Sequence, residues 1–351
     1  MRAVHQLLPV YSVGDAIGGA VLRTRGWLRD AGFASDVFAE RWDHRLEARP
    51  ARDLLGLLGA GDALMYHLSI GSPAAAVFEA CAGVRVIVYH NITPARYYEG
   101  TSQEVAYWID RGRADLRRLV PQADLVVGVS RFNLEECLPL GPRRTAVVPP
   151  PVDLERLRPR TAVPSRPPRI LAVGRIAPNK RHDTLVRALA ALRATALPDA
   201  VLVVAGGSYD TGVHLGRLRD LAARLGVSDA VEMPGTPIPD ERLGAEYARA
   251  SVLASASEHE GFFVPALEAM ALEVPVVAAA EGAVPETVGG AGLLVDGRDP
   301  LVWAATLARA ISDTRLRAEL VSRGRRRLAE MAGERVRATL LATLAESGVV
   351  P

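Results

Sequence analysis

The chain has 351 residues, which is too long for one core of ordinary size and therefore predicts two domains. Hydrophobic residues make up 49% and charged residues 23%, and no stretch approaches the roughly 18 consecutive apolar residues of a membrane-spanning helix. The composition thus excludes a disordered chain and an integral membrane protein. The net charge of +2 gives no reason to expect a nucleic acid partner.

Residue usage is strongly biased towards arginine. Of the 42 basic residues only Lys180 is a lysine, and asparagine occurs only at Asn91, Asn133 and Asn179. An indifferent surface cation in such a chain is almost always arginine, so the single lysine is a candidate functional residue.

Neither the start of the chain nor its cysteines indicate export. The first residues contain no apolar segment of signal-peptide length, so we expect a cytoplasmic location. Cys81 and Cys137 form no CxxC or Cys/His cluster, so we predict two buried thiols rather than a disulfide or a zinc site.

Short apolar runs alternate with helical patterns in the first half, which is typical of βα units around a parallel sheet. The predicted strands are Ala3–Leu8, Ser35–Ala39, Ala63–His67, Arg85–His90, Asp124–Val129 and Thr145–Val148. Predicted helices include Ala20–Ala31 and one within Ser102–Val120.

A proline-rich stretch separates this half from a second set of βα units. The second set is predicted to contain strands at Arg169–Val173, Val201–Ala205, Val231–Met233, Val252–Ser255, Val274–Ala278 and Gly292–Val295. Helices are predicted at Asp183–Thr195 and Leu215–Leu225.

The fold class is therefore predicted to be α/β, with two doubly wound, Rossmann-like domains facing a central cleft at the carboxyl ends of their strands. The expected organisation is a domain at 1–150, a linker at 151–168, a domain at 169–330 and a helix at 331–351 that packs back on the first domain.

Two glycine-containing turns could bind an anion. Gly14, Gly18 and Gly19 lie between the first strand and helix, but their spacing is not GxGxxG, so a plain turn and an anion site are equally compatible with them. Arg175 and Lys180 follow Gly174 in a loop without the P-loop ending GK[ST]. Two cations at a strand end could clamp a diphosphate and stabilise it as a leaving group.

A third candidate site is the run EHEGFFVPALE over residues 258–268. Seven residues separate Glu260 from Glu268, which places the first on a strand-to-helix loop and the second about one turn into a helix begun by Pro265. Carboxylates there suit hydrogen bonds to sugar hydroxyls, although two solvated glutamates remain an alternative.

Taken together, these motifs resemble the retaining, nucleotide-sugar-dependent glycosyltransferases of the GT-B fold, family four (glycosyltransferase group 1). The resemblance covers nearly the whole chain and includes the segments EGF…P..LEAMA, VPVVA and VPETVGGAGLLV. The run YHNITP at 89–94 resembles a bacterial subgroup of polysaccharide and natural-product transferases.

The resemblance implies a role for each matching residue. Arg175 and Lys180 would bind the donor diphosphate with help from Gly18 and Gly19, and His90 would lie near the anomeric carbon. The ribose and the transferred sugar would be held by the following residues: Glu268 for the ribose, and Glu260 with Gly261, Phe262, Phe263 and Val264 for the sugar.

Two positions depart from the family pattern. Phe263 and Glu273 stand where the family usually has glycine. The first could narrow the sugar pocket or be turned away from it, and the second is expected on an exposed turn.

The resemblance implies transfer of a hexosyl unit from a nucleoside diphosphate sugar to an acceptor hydroxyl with retained configuration. Because the departing diphosphate can take the acceptor's proton, no carboxylate pair with glycosidase geometry is needed. No credible DxD motif is found, so we expect Arg175 and Lys180 to stabilise the leaving group without a metal ion. No cofactor or stable membrane insertion is expected, and the acceptor is either a small molecule or lipid-linked. Candidate acceptor residues in the first domain are Asp15, Tyr66, His67, Ser69 and Tyr97, and residues 234–238 are expected to form the wall of the base pocket. A sugar-nucleotide epimerase or hydrolase, and a non-catalytic sugar-nucleotide-binding protein, remain alternatives.

Overall fold

The chain folds into two compact units, each with its own parallel sheet. The computed structural model describes residues 2–157 and 166–350. The first unit comprises Met1–Arg96, Gln103–Asp153 and Met331–Pro351, and the second comprises Tyr97–Ser102 and Leu154–Glu330. The central part of the predicted linker, residues 158–165, lies outside the described residues.

The first unit alternates strands with helices. Its elements are, in order, β1 (Val4–Tyr11), α1 (Ala16–Asp30), β2 (Val37–Trp42), β3 (Arg49–Pro50), β4 (Ala63–Leu68), α2 (Ala74–Glu79), β5 (Val84–Tyr89), α3 (Gln103–Leu119), β6 (Leu125–Gly128), α4 (Arg131–Cys137) and β7 (Thr145–Val147).

These seven strands form one parallel sheet in the order β3-β2-β1-β4-β5-β6-β7. β4 is buried at every position, as expected for a central parallel strand covered on both faces. The strand order runs in opposite directions from the β1–β4 pair, so the switch point of the sheet lies between these two strands.

The second unit repeats this architecture. Its elements are β8 (Arg169–Val173), α5 (His182–Thr195), β9 (Val201–Ala205), α6 (Gly212–Arg224), β10 (Val231–Glu232), α7 (Asp240–Arg249), β11 (Val252–Ser255), α8 (Val264–Ala271), β12 (Val276–Ala279), α9 (Val284–Val288), β13 (Leu293–Val295), α10 (Pro300–Ser312) and α11 (Thr314–Glu330). A final helix, α12 (Gly333–Glu346), belongs to the first unit.

The six strands of the second sheet are ordered β10-β9-β8-β11-β12-β13, and all pairs are parallel. Its core joins strand residues such as Leu202 and Val204 to helix residues such as Leu189 and Trp303. The strand order reverses between β8 and β11, which makes this pair the switch point of the second sheet.

Local sequence explains where several helices begin. Ser130 accepts a hydrogen bond from the backbone N–H of Asn133 at 3.2 Å and so caps α4. Asp299 accepts one from Leu301 N–H at 2.9 Å, with Pro300 at the first helical position of α10. Both are favoured N-terminal signals because they satisfy or remove donors that the helix itself cannot pair.

The predicted fold class of two doubly wound α/β units is confirmed, and each predicted strand overlaps an observed one. The two-residue edge strand β3 was not predicted, because Arg49–Pro50 carries no apolar run. Cys137 is buried, but Cys81 is only partly buried, which corrects the expectation of two buried thiols. Part of the predicted linker is also structured, since Glu155–Leu157 forms a 3-10 helix that packs closely on α7 at Gly244.

The ends of β8 and β9 approach each other at a pair of glycines. A Cβ atom on Gly206 would lie 1.9 Å from the carbonyl oxygen of Gly174, and Gly174 donates its N–H to Ala205 O at 3.1 Å. Only glycine fits at position 206, because real Cβ atoms do not approach backbone oxygen this closely.

We therefore expect Gly206→Ala to lower the free energy of unfolding by about 1–3 kcal/mol, since the backbone must move to admit the methyl group. Gly216→Ala is the matched control: Gly216 lies inside α6 with nothing within 4 Å of its Cβ position, so this change should raise stability by about 1 kcal/mol. Urea unfolding followed by circular dichroism measures both. Equal effects of the two substitutions would contradict the close approach.

Candidate functional site

The candidate site of the second unit lies where its sheet reverses direction. β8 pairs with β9 on one side and with β11 on the other. The loops after β8 and β11 therefore leave the sheet in opposite directions and open a crevice at the carboxyl ends of the strands, where doubly wound sheets bind ligands. The GR…NK loop follows β8 and the EHEGF segment follows β11.

Lys180 and Glu260 meet across this crevice. Lys180 Nζ donates to Glu260 Oε1 at 2.7 Å, with side-chain exposures of 24% and 11%. The lysine side chain folds back along its own loop, since its Cε lies 3.9 Å from the position that a Cβ on Gly174 would occupy. The structure thus joins two of the predicted site residues in one ion pair.

Asn179 fixes the two loops relative to each other. It is 3% exposed, and its carbonyl oxygen accepts hydrogen bonds from Glu258 N–H at 2.9 Å and Ser257 Oγ at 3.2 Å. Its side-chain Nδ2 donates to the carbonyl oxygen of His259 at 3.4 Å. This residue was not predicted as part of the site, although the scarcity of asparagine was a usable signal.

The loop after β12 holds the backbone of Glu260. Ala283 N–H donates to Glu260 O at 2.9 Å, and a Cβ on Gly282 would lie 2.7 Å from the same oxygen. Thr287 Oγ1 donates to the carbonyl oxygen of Phe262. Residues 260–262 are therefore held by a neighbouring loop as well as by their own.

Glu268 lies within α8 and is 2% exposed. Arg156 Nη2 forms an ion pair with its Oε1, and Tyr247 OH donates to its Oε2 at 2.8 Å. Burial raises the pKa of the Glu268 carboxyl, while Arg156 and the Tyr247 hydrogen bond oppose that rise. No sequence signal marked Arg156 or Tyr247, because contacts from separate elements leave no local pattern.

Arg175 is exposed and contacts Tyr98. Its Nη2 donates to Tyr98 OH, and its Cζ lies 5.5 Å from the centre of that ring. Tyr97, predicted as an acceptor-side residue of the first domain, instead groups with the second unit, where its ring lies 6.4 Å from that of His259. The short 3-10 helix Ala95–Tyr98 thus brings Tyr97 and Tyr98 to the second unit's loops.

Both departures from the family's glycine pattern adopt the backbone conformation that favours glycine. Phe263 has φ +68° and Glu273 has φ +58°. Phe263 is 4% exposed, whereas Glu273 is exposed and pairs with Arg325. The Phe263 ring is turned into the protein, and the expectation of an exposed turn at Glu273 is confirmed.

The predicted glycine turn of the first unit is only partly a turn. α1 begins at Ala16, so Gly18 and Gly19 lie in its first helical turn, and Asp15 is the residue preceding the helix. This corrects the expectation of a loop over residues 13–19. A Cβ on Gly18 would lie 2.7 Å from Ser12 O, so this glycine permits close packing, whereas nothing lies within 4 Å of that position at Gly19.

His67 and His90 form a contact pair in the first unit. His67 Nδ1 lies 2.9 Å from His90 Nε2, and His67 Nε2 lies 3.1 Å from Gln6 Oε1. His67 is 3% exposed with both ring nitrogens engaged. A ligand could reach those nitrogens only by breaking these contacts, and the acceptor-binding role of His67 stays a prediction.

The YHNI segment containing His90 is held by side chains on two helices. Asn91 has φ +72° and donates from Nδ2 to Asn133 Oδ1 at 3.0 Å, and Asn133 Nδ2 donates to Tyr89 O at 3.2 Å. Arg113 Nη1 donates to Ile92 O at 2.9 Å. These bonds explain why a sharp turn directly after β5 needs asparagine rather than a larger residue.

The remaining predicted positions are Tyr66, Ser69 and the base-pocket wall at residues 234–238. Tyr66 is fully buried and its hydroxyl has no hydrogen-bond partner within the described residues, which places it in the core rather than on an acceptor surface. In the expected base wall, Gly235 O accepts from Ser208 N–H at 3.0 Å, so this loop is attached to the one after β9. The ligand contacts expected of Ser69 and residues 234–238 stay predictions.

Within residues 2–157 and 166–350, no three His, Cys, Asp or Glu side chains cluster as metal ligands would. None of the helices described there combines the length and apolar character needed to cross a bilayer.

Residues 153–327 match the family described as glycosyl transferases group 1. D-inositol 3-phosphate glycosyltransferase of Salinispora arenicola is 36% identical over 253 residues, which cover 66% of this chain and 56% of the relative. The chain thus spans little more than half the length of that relative.

Two solved structures share the fold over almost the whole chain. Sucrose-phosphate synthase of Thermosynechococcus elongatus has a TM-score of 0.77 at 21% identity and covers 98% of each chain. Anabaena HepE, solved with UDP and glucose, has a TM-score of 0.77 at 17% identity, covering 98% of this chain and 100% of its own. At these identities the likeness confirms the predicted architecture of two Rossmann-like domains and nothing further.

The strained position Phe263 yields a paired prediction. Phe263→Gly removes a left-handed conformation that costs about 1–2 kcal/mol but also a buried aromatic side chain worth about 3–5 kcal/mol. We expect the free energy of unfolding to fall by about 2–3 kcal/mol. Glu273→Gly relieves similar strain and loses only a surface ion pair of about 0–1 kcal/mol, so stability should stay equal or rise. Urea unfolding tests both substitutions. If Phe263→Gly stabilised the protein, burial of the ring would contribute less to stability than the left-handed backbone at this position costs.

Buried histidines predict a loss of stability in acid. Burial lowers the pKa of His90 and His182 to about 3. Below pH ~6.5 the unfolded chain binds protons that these folded imidazoles do not, so the free energy of unfolding is highest above that pH. It should fall by about 1.4 kcal/mol per pH unit for each histidine as the pH drops towards 3.

His182→Leu should reduce this slope by about 1.4 kcal/mol per pH unit between pH 5.5 and 4. His44→Leu is the control, because the His44 side chain is 93% exposed. Urea unfolding at half-unit pH steps measures the slopes, and identical slopes for the two variants would refute a neutral buried His182.

Proposed function

We propose that this chain, whose residues 153–327 match the glycosyl transferases group 1 family, is a retaining glycosyltransferase. It would move a hexosyl unit from a nucleoside diphosphate sugar to an acceptor hydroxyl. The observation that carries the proposal is the contact of Lys180 Nζ with Glu260 Oε1 at 2.7 Å, at the switch point of the second sheet.

This pair supplies the two kinds of group that a sugar nucleotide needs. A diphosphate brings negative charge that the Lys180 ammonium and the exposed Arg175 guanidinium can neutralise. When the diphosphate engages Lys180, the Glu260 carboxylate is free to accept hydrogen bonds from sugar hydroxyls. One ion pair thus holds both groups in position before the donor arrives, which lowers the cost of ordering them.

Glu268 suits the ribose in this proposal. Its two oxygens offer about four lone-pair positions, and Arg156 and Tyr247 occupy one on each oxygen. The remaining lone pairs can accept hydrogen bonds from two neighbouring ribose hydroxyls. Arg156 and Tyr247 then orient the carboxylate.

In the proposed reaction the bond from the anomeric carbon to the diphosphate breaks as the acceptor oxygen bonds to the same face of the sugar. The acceptor proton passes to the departing diphosphate, so protons and charge balance without a further base. Arg175 and Lys180 stabilise the leaving group electrostatically, and we propose that they do so without a metal ion. Gly18, Gly19 and His90 assist from the first unit, as the family resemblance implies.

The acceptor is proposed to be small or lipid-linked and to be bound by the first unit in the cytoplasm. The name of the Salinispora relative favours a phosphorylated polyol as the first acceptor to test. The YHNITP run favours a bacterial polysaccharide or natural-product pathway.

Two other functions would also begin with binding of a sugar nucleotide. A sugar-nucleotide epimerase or hydrolase would convert the donor alone to an epimer or a free sugar. A non-catalytic binding protein would bind the donor and leave it intact. Incubating the chain with donor in the presence and absence of acceptor separates all three, with NMR of the anomeric proton reporting the product and its configuration.

The donor is best found by thermal shift with UDP, GDP, dTDP and ADP sugars. A ligand present at 100 times its dissociation constant stabilises the protein by about 2.7 kcal/mol. The same assays after treatment with EDTA test metal independence, and loss of turnover that Mg²⁺ restores would refute it.

Lys180→Ala should lower kcat by about 10²–10³-fold, because it removes a cation from the developing charge of the leaving group. Lys180→Arg should also be impaired, since a guanidinium differs from an ammonium in geometry and reach. Steady-state kinetics with the identified donor measures both changes.

Arg187→Ala is the matched control, as Arg187 is an exposed cation on neighbouring α5. It should retain turnover. Unchanged kcat in Lys180→Ala would remove the lysine from the mechanism, whatever the donor.

A further inference from the structure

Three polar side chains form a continuous chain inside the first unit. Gln6 lies on β1, His67 on β4 and His90 directly after β5, and these strands are neighbours in the sheet. Gln6 is 0% and His67 is 3% exposed. The chain therefore runs through the interior beside the switch point, where water cannot replace a lost hydrogen bond.

The orientation of the Gln6 amide determines which ring nitrogen of His67 carries a hydrogen. Its Nε2 donates to the carbonyl oxygen of Val21 at 3.0 Å, which leaves Oε1 to face His67 Nε2 at 3.1 Å. A carbonyl oxygen only accepts hydrogen bonds, so His67 Nε2 must carry the hydrogen.

The neutral state of His67 determines which ring nitrogen of His90 carries a hydrogen. Burial lowers the pKa of His67 well below its ordinary value, so the ring is neutral and carries one hydrogen. With that hydrogen on Nε2, Nδ1 has a lone pair. At 2.9 Å from this lone pair, His90 Nε2 must be the donor.

We infer that Gln6 and His67 are positioning residues that hold His90 with its hydrogen on Nε2 and its lone pair on Nδ1. His90 therefore presents a hydrogen-bond acceptor to a ligand and takes a hydroxyl group rather than a carboxylate or phosphate oxygen. The inference deepens the proposed function, on which it rests for the ligand: a sugar hydroxyl of the donor or acceptor.

The surroundings of His90 agree with this role. Within residues 2–157 and 166–350, Nδ1 of His90 makes no hydrogen bond. His67 and His90 line a small cavity of about 30 Å³ together with Ala20 and Pro149. Burial lowers the pKa of His90 to about 3, so the imidazole stays neutral at physiological pH and cannot donate from Nδ1.

The proton arrangement can be measured on the unmodified full chain without any substrate. In a ¹H–¹⁵N long-range correlation spectrum of ¹⁵N-histidine-labelled protein at pH 7, His67 and His90 should both show hydrogen on Nε2 and an unprotonated Nδ1. His90→Asn identifies the His90 signals by their loss. Hydrogen on Nδ1 of His90, or a charged ring, would overturn the inference.

Gln6→Leu removes the acceptor that fixes His67, so His90 should populate both tautomers and kcat/KM should fall about tenfold. Gln103→Leu makes the same change at an exposed glutamine on α3 and should alter neither. A single unchanged His90 tautomer in folded Gln6→Leu would refute the role of Gln6.

Titration with UDP-glucose and GDP-mannose separates this inference from the proposed function. Binding of either sugar nucleotide should shift the His90 Nδ1 signal while the hydrogen stays on Nε2. Protonation of Nδ1 in the complex would overturn the acceptor role. If no sugar nucleotide from the full donor panel binds, the proposed function fails. The position of the hydrogen on His90 in the free protein still tests the roles of Gln6 and His67.

Discussion

The candidate site of the second unit depends on the ion pair between Lys180 and Glu260. Both side chains are largely shielded from water, at 24% and 11% exposure, so each charge needs the other to offset its lost hydration. The pair joins loops that leave a parallel sheet in opposite directions. Without it, the switch point would hold two unpaired charges at the mouth of a crevice.

Buried asparagines hold the backbone around the predicted site residues in both units. The sequence contains three asparagines, and all three are buried beside predicted site residues: Asn179 next to Lys180, and Asn91 and Asn133 around the His90 segment. A short amide both donates and accepts, and it tolerates a left-handed backbone such as that of Asn91. In an arginine- and alanine-rich chain, no abundant residue combines these properties.

Much of this molecule could be predicted from its sequence because parallel strands leave strong apolar runs. The fold class, all strands except the short edge strand β3, and the loops carrying Lys180 and Glu260 follow from that pattern. What could not be predicted depends on contacts between distant segments. Arg156 and Tyr247 reach Glu268 from separate elements, and Tyr97–Ser102 groups with the second unit although the segments before and after it lie in the first. The contacts of His67 could not be predicted for the same reason, since Gln6 and His90 reach its two ring nitrogens from other strands or loops.

Polar side chains lie at the switch points of both sheets, but they are charged in the second unit and neutral in the first. At β8 and β11 a charged pair is stable because the charges neutralise each other and remain partly hydrated, so an incoming anion can compete for the lysine. At β1 and β4 the polar groups are buried more deeply, and a charge there would be costly. The first unit therefore uses neutral groups whose hydrogen bonds all point the same way: His90 donates to His67, His67 to Gln6, and Gln6 to the carbonyl oxygen of Val21. Such a chain can orient a hydroxyl but cannot neutralise a phosphate, and for that reason we propose the diphosphate site at the lysine of the second unit.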